Sequence, residues 1–216
     1  MNPSKNVVNL YTYMLCPFCK PVEYLLKANG IEFVRHELDL MKGEHKSEEY
    51  KKINPLQKVP AIIEDNLILF ESNTINRYIC NEKIVEDRWY PKNPAKRAWI
   101  DLYFDWHAAN SGNLFKYTYA KMGWLQNLTL DDAKKISDTA FQDLEKIFFS
   151  KFKFVASDEV SIADLAVAWH LKGILSLGYE VSDRVKVYLE DLLAAEPGLV
   201  DNLDEYVKQR IQKFGL

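Results

Sequence analysis

The chain has 216 residues, of which 48% are hydrophobic and 27% charged, and its formal net charge is −3. This balance excludes a disordered chain and suits one large globular domain or two smaller ones. The sequence has no long basic run that would indicate a nucleic-acid surface, and no apolar run reaches the roughly 18 residues of a membrane helix. We therefore expect a soluble protein without nucleic-acid or membrane partners.

The cysteine content and the first residues bear on the compartment. The segment 1–15 lacks the unbroken apolar stretch of a signal peptide, and three cysteines do not make a disulfide framework. A reducing, cytoplasmic compartment is the expectation. In that compartment a closely spaced cysteine pair is more often reactive than structural.

The N-terminal third alternates strand and helix signals. β-branched and aromatic runs or an alternating apolar pattern predict strands, and helical spacing that ends at Asn29-Gly30 predicts the first helix. The predicted elements in chain order are a strand at 7–13, a helix at 22–30, a strand at 31–38, a short helix at 44–53, strands at 59–63 and 67–70, and a helix at 72–83. This β-α-β-α-β-β-α order predicts an α/β unit.

The pattern changes to helices alone after residue 84. Apolar residues recur at helical spacing in two stretches, which are Ala98, Trp99, Leu102, Trp106 and Ala109, and then Ala133, Ile136, Ala140, Leu144 and Ile147. Ser161 and Asp164 form a capping-box pattern at the start of a helix over 161–178, and further helical stretches flank Pro197-Gly198. The predicted organisation is an α/β domain at 1–83, a linker at 84–95 and an all-helical domain at 96–216.

Cys16 and Cys19 form a CxxC pair between the first strand and the first helix. A structural zinc site needs four ligands, commonly in two closely spaced pairs. Besides Cys16 and Cys19 the sequence offers only Cys80 and four scattered histidines, which form no second pair, so no metal is expected. Redox or nucleophilic chemistry is the favoured reading. The alternative is that both cysteines are small buried apolar residues, which is also the expectation for Cys80.

The position of the pair before a helix favours a reactive thiol. Pro17 keeps Cys16 out of the helical conformation and is itself a good first helical residue, which predicts Cys16 as the N-cap. Pro21 leaves a second start open, with Cys16 in the preceding loop. In either case the helix N-terminus and Lys20 would stabilise a Cys16 thiolate, and Cys19 could resolve a mixed disulfide.

Several motifs in order resemble those of cytosolic glutathione transferases, and most closely the theta class. They are "CPFC" at 16–19, "DLMKGEH" at 39–45, "NPLQKVPAI" at 54–62, "FESNTINRYI" at 70–79, "WYPKNPAKRAWIDLYFDWH" at 89–107 and "SIAD" at 161–164. The resemblance implies an α/β thioredoxin-like N-terminal domain followed by an all-α C-terminal domain. It also implies a detoxifying transferase that uses glutathione as co-substrate.

The resemblance implies that six residues bind glutathione. It implies a cis Pro60 that exposes the Val59 backbone for strand-like pairing with the cysteinyl part of glutathione. Glu71 would face the γ-glutamyl amine, and Ser72, read as a helix N-cap, would bind the γ-glutamyl carboxylate with the helix N–H groups. His45 and Lys58 would lie near the glycyl carboxylate.

Cys16 aligns with the catalytic serine of theta-like enzymes, and this departure divides the expected function. A hydroxyl or thiol there can donate a hydrogen bond to the glutathione thiolate and lower its pKa. A cysteine, as in glutaredoxins and omega-class transferases, can also form a mixed disulfide with glutathione. The expected function is conjugation of glutathione to electrophiles. The alternatives are a glutathione-dependent thiol-disulfide oxidoreductase or dehydroascorbate reductase that uses Cys16, and a non-catalytic binding module.

The resemblance implies two further partners. A small hydrophobic electrophile would bind residues of the helical domain, for which Tyr117, Tyr119, Met122 and Trp124 are candidates by position. Tyr13, on the first strand, is a reserve candidate for activating glutathione. A homodimer is expected, although Ala109 and Gly112 stand where charged residues of the family often occur.

Overall fold

The structure is a computed structural model in which residues 7–14, 16–125 and 127–201 are described. The chain divides into two compact units, Met1–Tyr90 and Pro91–Leu216. Within the described ranges, no helix combines the length and the apolar character needed to cross a membrane.

The first unit has four strands and three α-helices in the predicted order. They are β1 (Val8–Thr12), α1 (Cys19–Ala28), β2 (Phe33–Glu37), a 3₁₀ turn (Glu44–Lys46), α2 (Glu48–Lys51), β3 (Ala61–Glu64), β4 (Leu67–Phe70) and α3 (Ser72–Glu82). Every element predicted in this region is present, and most of the differences are a few residues at the ends. Gly30, with φ of 63°, adopts the left-handed conformation expected just after a helix.

The four strands form one mixed sheet in the order β2-β1-β3-β4. β1 pairs in parallel with β2 and antiparallel with β3, so that Tyr11 lies beside His36 on one side and Ala61 on the other. Strand alternation sends Tyr11 and Ala61 to one face of the sheet, where they pack with Tyr50 of α2. Leu10 points to the opposite face and is fully buried.

Helix α1 begins at neither of the two predicted positions. It begins at Cys19 with Phe18 as the N-cap, so Cys16 lies two residues before the cap, in a turn, and the N-cap prediction for Cys16 is wrong. Pro21 is the third helical residue. It is tolerated there because the first four N–H groups of a helix have no intrahelical acceptor.

Helix α3 begins at Ser72, as the predicted range 72–83 has it, but its cap lies one residue earlier than predicted. Glu71 is its N-cap and Ser72 its first helical residue, so the prediction that Ser72 is the cap is wrong. Glu71 has φ of 70° and ψ of 112°, and its carbonyl accepts the Ile75 N–H at 3.0 Å. A positive φ at a non-glycine residue costs about 1–3 kcal/mol, which the surrounding structure must offset.

The second unit is helical throughout its described residues. Its elements are α4 (Pro94–Leu114), α5 (Lys116–Lys121), α6 (Leu130–Leu144), a π-helical turn (Glu145–Phe149), α7 (Ile162–Ser176) and α8 (Asp183–Ala195). No strand follows Phe70 in the described part of the chain. The helical stretch predicted beyond Gly198 lies largely outside the described residues.

The apolar face predicted for α4 is the wrong one. Ala98, Leu102 and Ala109 are exposed, and Leu102 retains 47% of its accessible surface. The buried face instead carries aromatic rings, notably Tyr103 and Phe104. The helix has apolar residues on more than one side, so periodicity alone could not identify the side that packs inward.

The capping box predicted at α7 is present and fully buried. The Asp164 carboxylate accepts hydrogen bonds from the Ser161 N–H at 2.8 Å and from the Ser161 hydroxyl at 3.0 Å. It also accepts from the Val155 N–H at 2.9 Å and the Tyr188 hydroxyl at 3.0 Å. One carboxylate therefore links the cap of α7 to the preceding loop and to α8.

Candidate active site

Cys16 lies in the turn between β1 and α1. Its N–H donates to the Tyr13 carbonyl at 2.9 Å, and its own carbonyl accepts from the Cys19 N–H at 3.1 Å and the Lys20 N–H at 3.3 Å. These backbone bonds fix the turn, and the Cys16 side chain keeps only 8% of its accessible surface. The sulfur is thus held at the N-terminal end of α1, although Cys16 itself is outside the helix.

The pKa values of the Cys16 and Cys19 thiols are shifted in opposite directions. Burial by itself would raise the pKa of Cys16, but hydrogen bonds from the Cys19 thiol and the Cys19 and Phe18 N–H groups, with the Lys20 charge, hold that pKa below its usual value. The pKa of Cys19 lies well above its usual value because of burial and its contact with Cys16. Of the two, Cys16 is therefore the thiol that loses its proton more easily, and Cys19 is the one that retains it.

A second loop brings the Val59 backbone to the Cys16 sulfur. The Val59–Pro60 peptide bond is cis, as the family resemblance implied, and the Cys16 Sγ lies 3.8 Å from the Val59 carbonyl oxygen. The preceding Lys58 carbonyl accepts from both the Tyr50 hydroxyl and the Asn54 Nδ2, each at 2.7 Å. These contacts anchor the loop from two sides.

Sequence reasoning missed Tyr50 and Asn54 as positioning residues. Asn54 is 2% exposed, and its Oδ1 also accepts the Leu56 N–H at 2.9 Å. An asparagine before a proline is a turn signal, and Asn54-Pro55 carries it. No comparable signal marked Tyr50, whose hydroxyl reaches Lys58 only because α2 packs on the sheet.

Glu71 and Ser72 lie at the start of α3. The Glu71 side chain is exposed and Ser72 is partly buried. Because α3 begins at Ser72, the first N–H groups of the helix are at this point, and they attract an anion. A negative Glu71 side chain beside N–H donors can contact both charges of an amino acid headgroup.

His45 and Lys58 differ in exposure. Lys58 is exposed, whereas His45 is partly buried in the 3₁₀ turn Glu44–Lys46, and its Nδ1 makes no hydrogen bond within the described residues. Burial, together with the Lys46 charge, lowers the pKa of His45, so the ring is neutral at neutral pH. Of the two, Lys58 is the exposed cationic side chain.

The structure places the remaining candidates as follows. Tyr13 follows β1 and is partly buried, and its carbonyl bonds to Cys16. In the second unit, Tyr117 and Met122 are buried, while Tyr119 stacks on Trp124 with ring centroids 5.8 Å apart. Trp124 is the exposed member of this group. Within the described ranges, no three His, Cys, Asp or Glu side chains form a group that could hold a metal ion.

Comparison with known proteins identifies the family. The profile described as "Glutathione S-transferase, N-terminal domain" matches residues 6–81. Human glutathione S-transferase theta-2 is 32% identical over 173 residues, which are 75% of this chain and 69% of the human protein. The chain belongs to the glutathione S-transferase family and is a transferase.

Two solved structures agree with this assignment. Human glutathione transferase theta-2 in complex with glutathione and an unknown ligand superposes with a TM-score of 0.85 at 27% identity, covering 95% of this chain and 91% of that one. A human theta-class glutathione transferase in complex with the glutathione conjugate of 1-menaphthyl sulfate has a TM-score of 0.83 at 26% identity, covering 96% and 91%. The predicted fold, a thioredoxin-like unit followed by a helical one, is confirmed, and so is the theta-like family.

Proposed function

We propose that this transferase conjugates the thiol of glutathione to small electrophiles, with Cys16 as the active residue. The observation that carries the proposal is the 3.8 Å distance between the Cys16 Sγ and the Val59 carbonyl oxygen. The cysteinyl part of glutathione would pair with the Val59 backbone, so its sulfur would lie beside Cys16. The human theta-class complexes with glutathione and with a conjugate support the same assignment.

Each of the other predicted site residues would bind a different part of glutathione. The N–H groups at the start of α3 and the Ser72 hydroxyl would hold the γ-glutamyl carboxylate, and Glu71 would hold the amine. Lys58 and the neutral His45 would bind the glycyl carboxylate. In this arrangement the positive and negative ends of the tripeptide meet groups of opposite charge.

In the conjugation step, the glutathione thiol loses its proton to solvent. Its thiolate then attacks the electrophilic carbon, forms the C–S bond and displaces a leaving group. The Cys16 thiol would donate a hydrogen bond to the glutathione thiolate and so favour the reactive form. This role requires a protonated Cys16 while glutathione is bound.

A second candidate function is reduction of glutathione mixed disulfides, and the opposite pKa shifts of Cys16 and Cys19 favour it. The Cys16 thiolate would attack the glutathione sulfur of a mixed disulfide, forming a protein–glutathione disulfide and releasing the other thiolate. A second glutathione thiolate would then attack that disulfide, giving oxidised glutathione and regenerating Cys16. Dehydroascorbate reduction by the same residue belongs to this alternative. If Cys19 is the resolving thiol, it takes the place of the second glutathione: it attacks the Cys16 sulfur, releases glutathione and leaves a Cys16–Cys19 disulfide, which two further glutathione molecules reduce.

One set of variants distinguishes the two functions. We would assay wild type, Cys16→Ser and Cys16→Ala for conjugation of 1-chloro-2,4-dinitrobenzene and for reduction of the mixed disulfide of glutathione and 2-mercaptoethanol. For conjugation through a hydrogen bond, Cys16→Ser keeps activity within about tenfold, and Cys16→Ala loses about 100-fold because the donor is gone. Both variants abolish disulfide reduction, since the low-pKa thiol is gone and the pKa of the remaining Cys19 thiol lies well above its usual value.

Cys80→Ala is the matched control, because Cys80 is a partly exposed thiol on α3 and should leave both activities unchanged. A Cys16→Ser protein that still reduces the disulfide would contradict the nucleophile assignment. If wild type binds no glutathione in a calorimetric titration, both enzymatic proposals fail. The non-catalytic binding module would then be the remaining reading.

The electrophile, the compartment and the assembly are also part of the proposal. A small hydrophobic electrophile would contact the helical unit near Tyr119 and Trp124, and the reaction would take place in the cytoplasm as detoxification. A homodimer is supported by the exposed apolar positions on α4, where Leu102 is the largest. Leu102→Glu should yield a monomer in light scattering. The control Asp101→Glu, at the neighbouring position, should remain a dimer.

A further inference from the structure

A cavity lies in the first unit, between the sheet and α2. Its volume is about 360 Å³, within the range of small-molecule sites. Its polar and aromatic lining residues are Tyr11, His36 and Glu37 on the strands and Ser47, Glu49 and Tyr50 in or before α2. We call it the α2 pocket. None of the residues assigned to glutathione lines it.

The Tyr11 hydroxyl gives the α2 pocket a buried polar group without a partner. Tyr11 keeps only 5% of its accessible surface, and its hydroxyl oxygen is buried and has no hydrogen-bond partner in the part of the chain that the structure describes. Leaving such a group unsatisfied costs about 1–3 kcal/mol. The ring is well fixed, since it stacks on His36 at 4.6 Å and contacts Tyr50 at 5.9 Å.

The neighbouring His36 presents an acceptor to the pocket. The Asn9 Nδ2 donates to the Val7 and Ile63 carbonyls, so the Asn9 Oδ1, 3.0 Å from the His36 Nε2, is the acceptor of that contact. The His36 Nε2 therefore carries the hydrogen. Burial lowers the pKa of His36, which keeps the ring neutral and leaves Nδ1 as a hydrogen-bond acceptor.

The charges that line the α2 pocket are negative. Glu37 and Glu49 are its charged lining residues, and neither a lysine nor an arginine belongs to the lining. Glu37 is partly neutralised, because its carboxylate accepts the Met14 N–H at 2.6 Å and pairs with Arg35. Glu49 is exposed at the edge of the pocket. Leu38 and Ile53 supply apolar lining.

We propose that the α2 pocket is a second ligand site, which binds planar aromatic cations. The parts of the Tyr11, His36 and Tyr50 side chains that line the pocket would pack against the ligand together with Leu38 and Ile53, and Glu37 and Glu49 would attract its positive charge. The His36 Nδ1 and the carboxylates would accept hydrogen bonds from a ligand amine or amidine, and the Tyr11 hydroxyl would gain a partner. Glutathione, an anion with two carboxylates, is excluded by the same charges.

The test uses 4-aminoquinaldine, a bicyclic aromatic cation at neutral pH, with quinaldate as its anionic counterpart. Binding is followed by calorimetry and by amide chemical shifts, with and without saturating glutathione. We expect 4-aminoquinaldine to bind and to perturb residues of β1, β2 and α2 whether or not glutathione is present. Quinaldate should not bind this site.

Two single-atom changes probe the site directly. Tyr11→Phe removes only the hydroxyl and should raise the Kd for 4-aminoquinaldine about 3- to 10-fold. Glu49→Gln should raise it about 2- to 5-fold, with less effect at high salt. Glu48→Gln is the matched control on the same helix, because Glu48 is exposed, pairs with Lys51 and does not line the pocket.

The following results would overturn the proposal. They are the absence of 4-aminoquinaldine binding to wild type at millimolar concentration, an unchanged Kd in both Tyr11→Phe and Glu49→Gln, or displacement of the cation by glutathione. None of these results requires catalysis. The α2 pocket can therefore fail while the transferase proposal stands, and the reverse is also possible.

Discussion

The two units use buried polar groups for different purposes. In Met1–Tyr90, Tyr50 and Asn54 direct their polar atoms at one carbonyl, that of Lys58, beside the proposed glutathione site. In Pro91–Leu216, Asp164 directs both of its oxygens at the chain itself, joining a cap, a loop and a neighbouring helix. The first unit positions a site with its buried hydrogen bonds, whereas the second uses them for its own stability.

The largest expected effect tests the structural half of this comparison. Asp164→Ala leaves the Val155 and Ser161 N–H groups and the Tyr188 hydroxyl without their acceptor, and should lower the free energy of unfolding by about 3–5 kcal/mol. Urea denaturation followed by circular dichroism measures the change. Asp131→Ala, at an exposed position in the first turn of α6, is the control and should cost less than about 1 kcal/mol. Equal losses in both variants would contradict the assignment.

The next largest effect is a pH dependence of stability that arises from two histidines buried in the second unit. Burial lowers the pKa of His107 to about 4 and, together with the His107 charge, that of His170 to about 3. Both rings are therefore neutral in the native state, whereas the unfolded chain protonates them below their ordinary pKa of 6.5. Stability is highest above that pH and is lost as the pH falls, by about 2 kcal/mol per histidine between pH 6.5 and 5.

Urea denaturation at several pH values measures this dependence. In His107→Gln one titrating group is gone, so the loss of stability towards pH 5 should be smaller than in wild type. His45→Gln is the comparison in the first unit, where the ring is partly exposed and its removal should change the slope less. A pH dependence that His107→Gln leaves unaltered would show that acid acts through other groups.

The smallest effect tests the positioning role in the first unit. Tyr50→Phe removes the hydrogen bond to the Lys58 carbonyl, worth about 1 kcal/mol, and should raise the KM for glutathione about fivefold with little change in kcat. Tyr78→Phe removes a similar bond, to Glu64 at 2.8 Å, and is the matched control. It should leave the glutathione KM unchanged. An equal rise in both variants would mean that the effect is general destabilisation.

The sequence predicted the first unit more closely than the second for a physical reason. In β1 through α3 the signals are local, since turn residues, strand alternation and Asn29-Gly30 act within a few positions. Even so, the start of α1 and the cap of α3 were misplaced, at Cys16 and Ser72. Prolines are tolerated throughout the first helical turn, and the positive φ of Glu71 has no sequence signature at a glutamate.

In the second unit the helices were predicted correctly, but the buried face of α4 was not. Leu102 and Tyr103 are both compatible with burial by residue type, and the choice between them depends on which neighbours the helix meets. The capping box at Ser161 and Asp164 was predictable because all of its atoms lie within four residues. The contact of Asp164 with Tyr188 was not, since it joins positions 24 residues apart.

By itself, the sequence determined the order of the elements, the family, the cysteine pair and the candidate glutathione residues, because each depends on local spacing or on motifs in a fixed order. The sequence also predicted Cys16 as the acidic thiol, but only the tertiary structure shows that the pKa of Cys19 moves the other way. The pKa values of Cys16 and Cys19 move in opposite directions because backbone N–H groups, burial and the sulfur–sulfur hydrogen bond act differently on two chemically identical groups. The α2 pocket, too, exists only because β1, β2 and α2 meet in space.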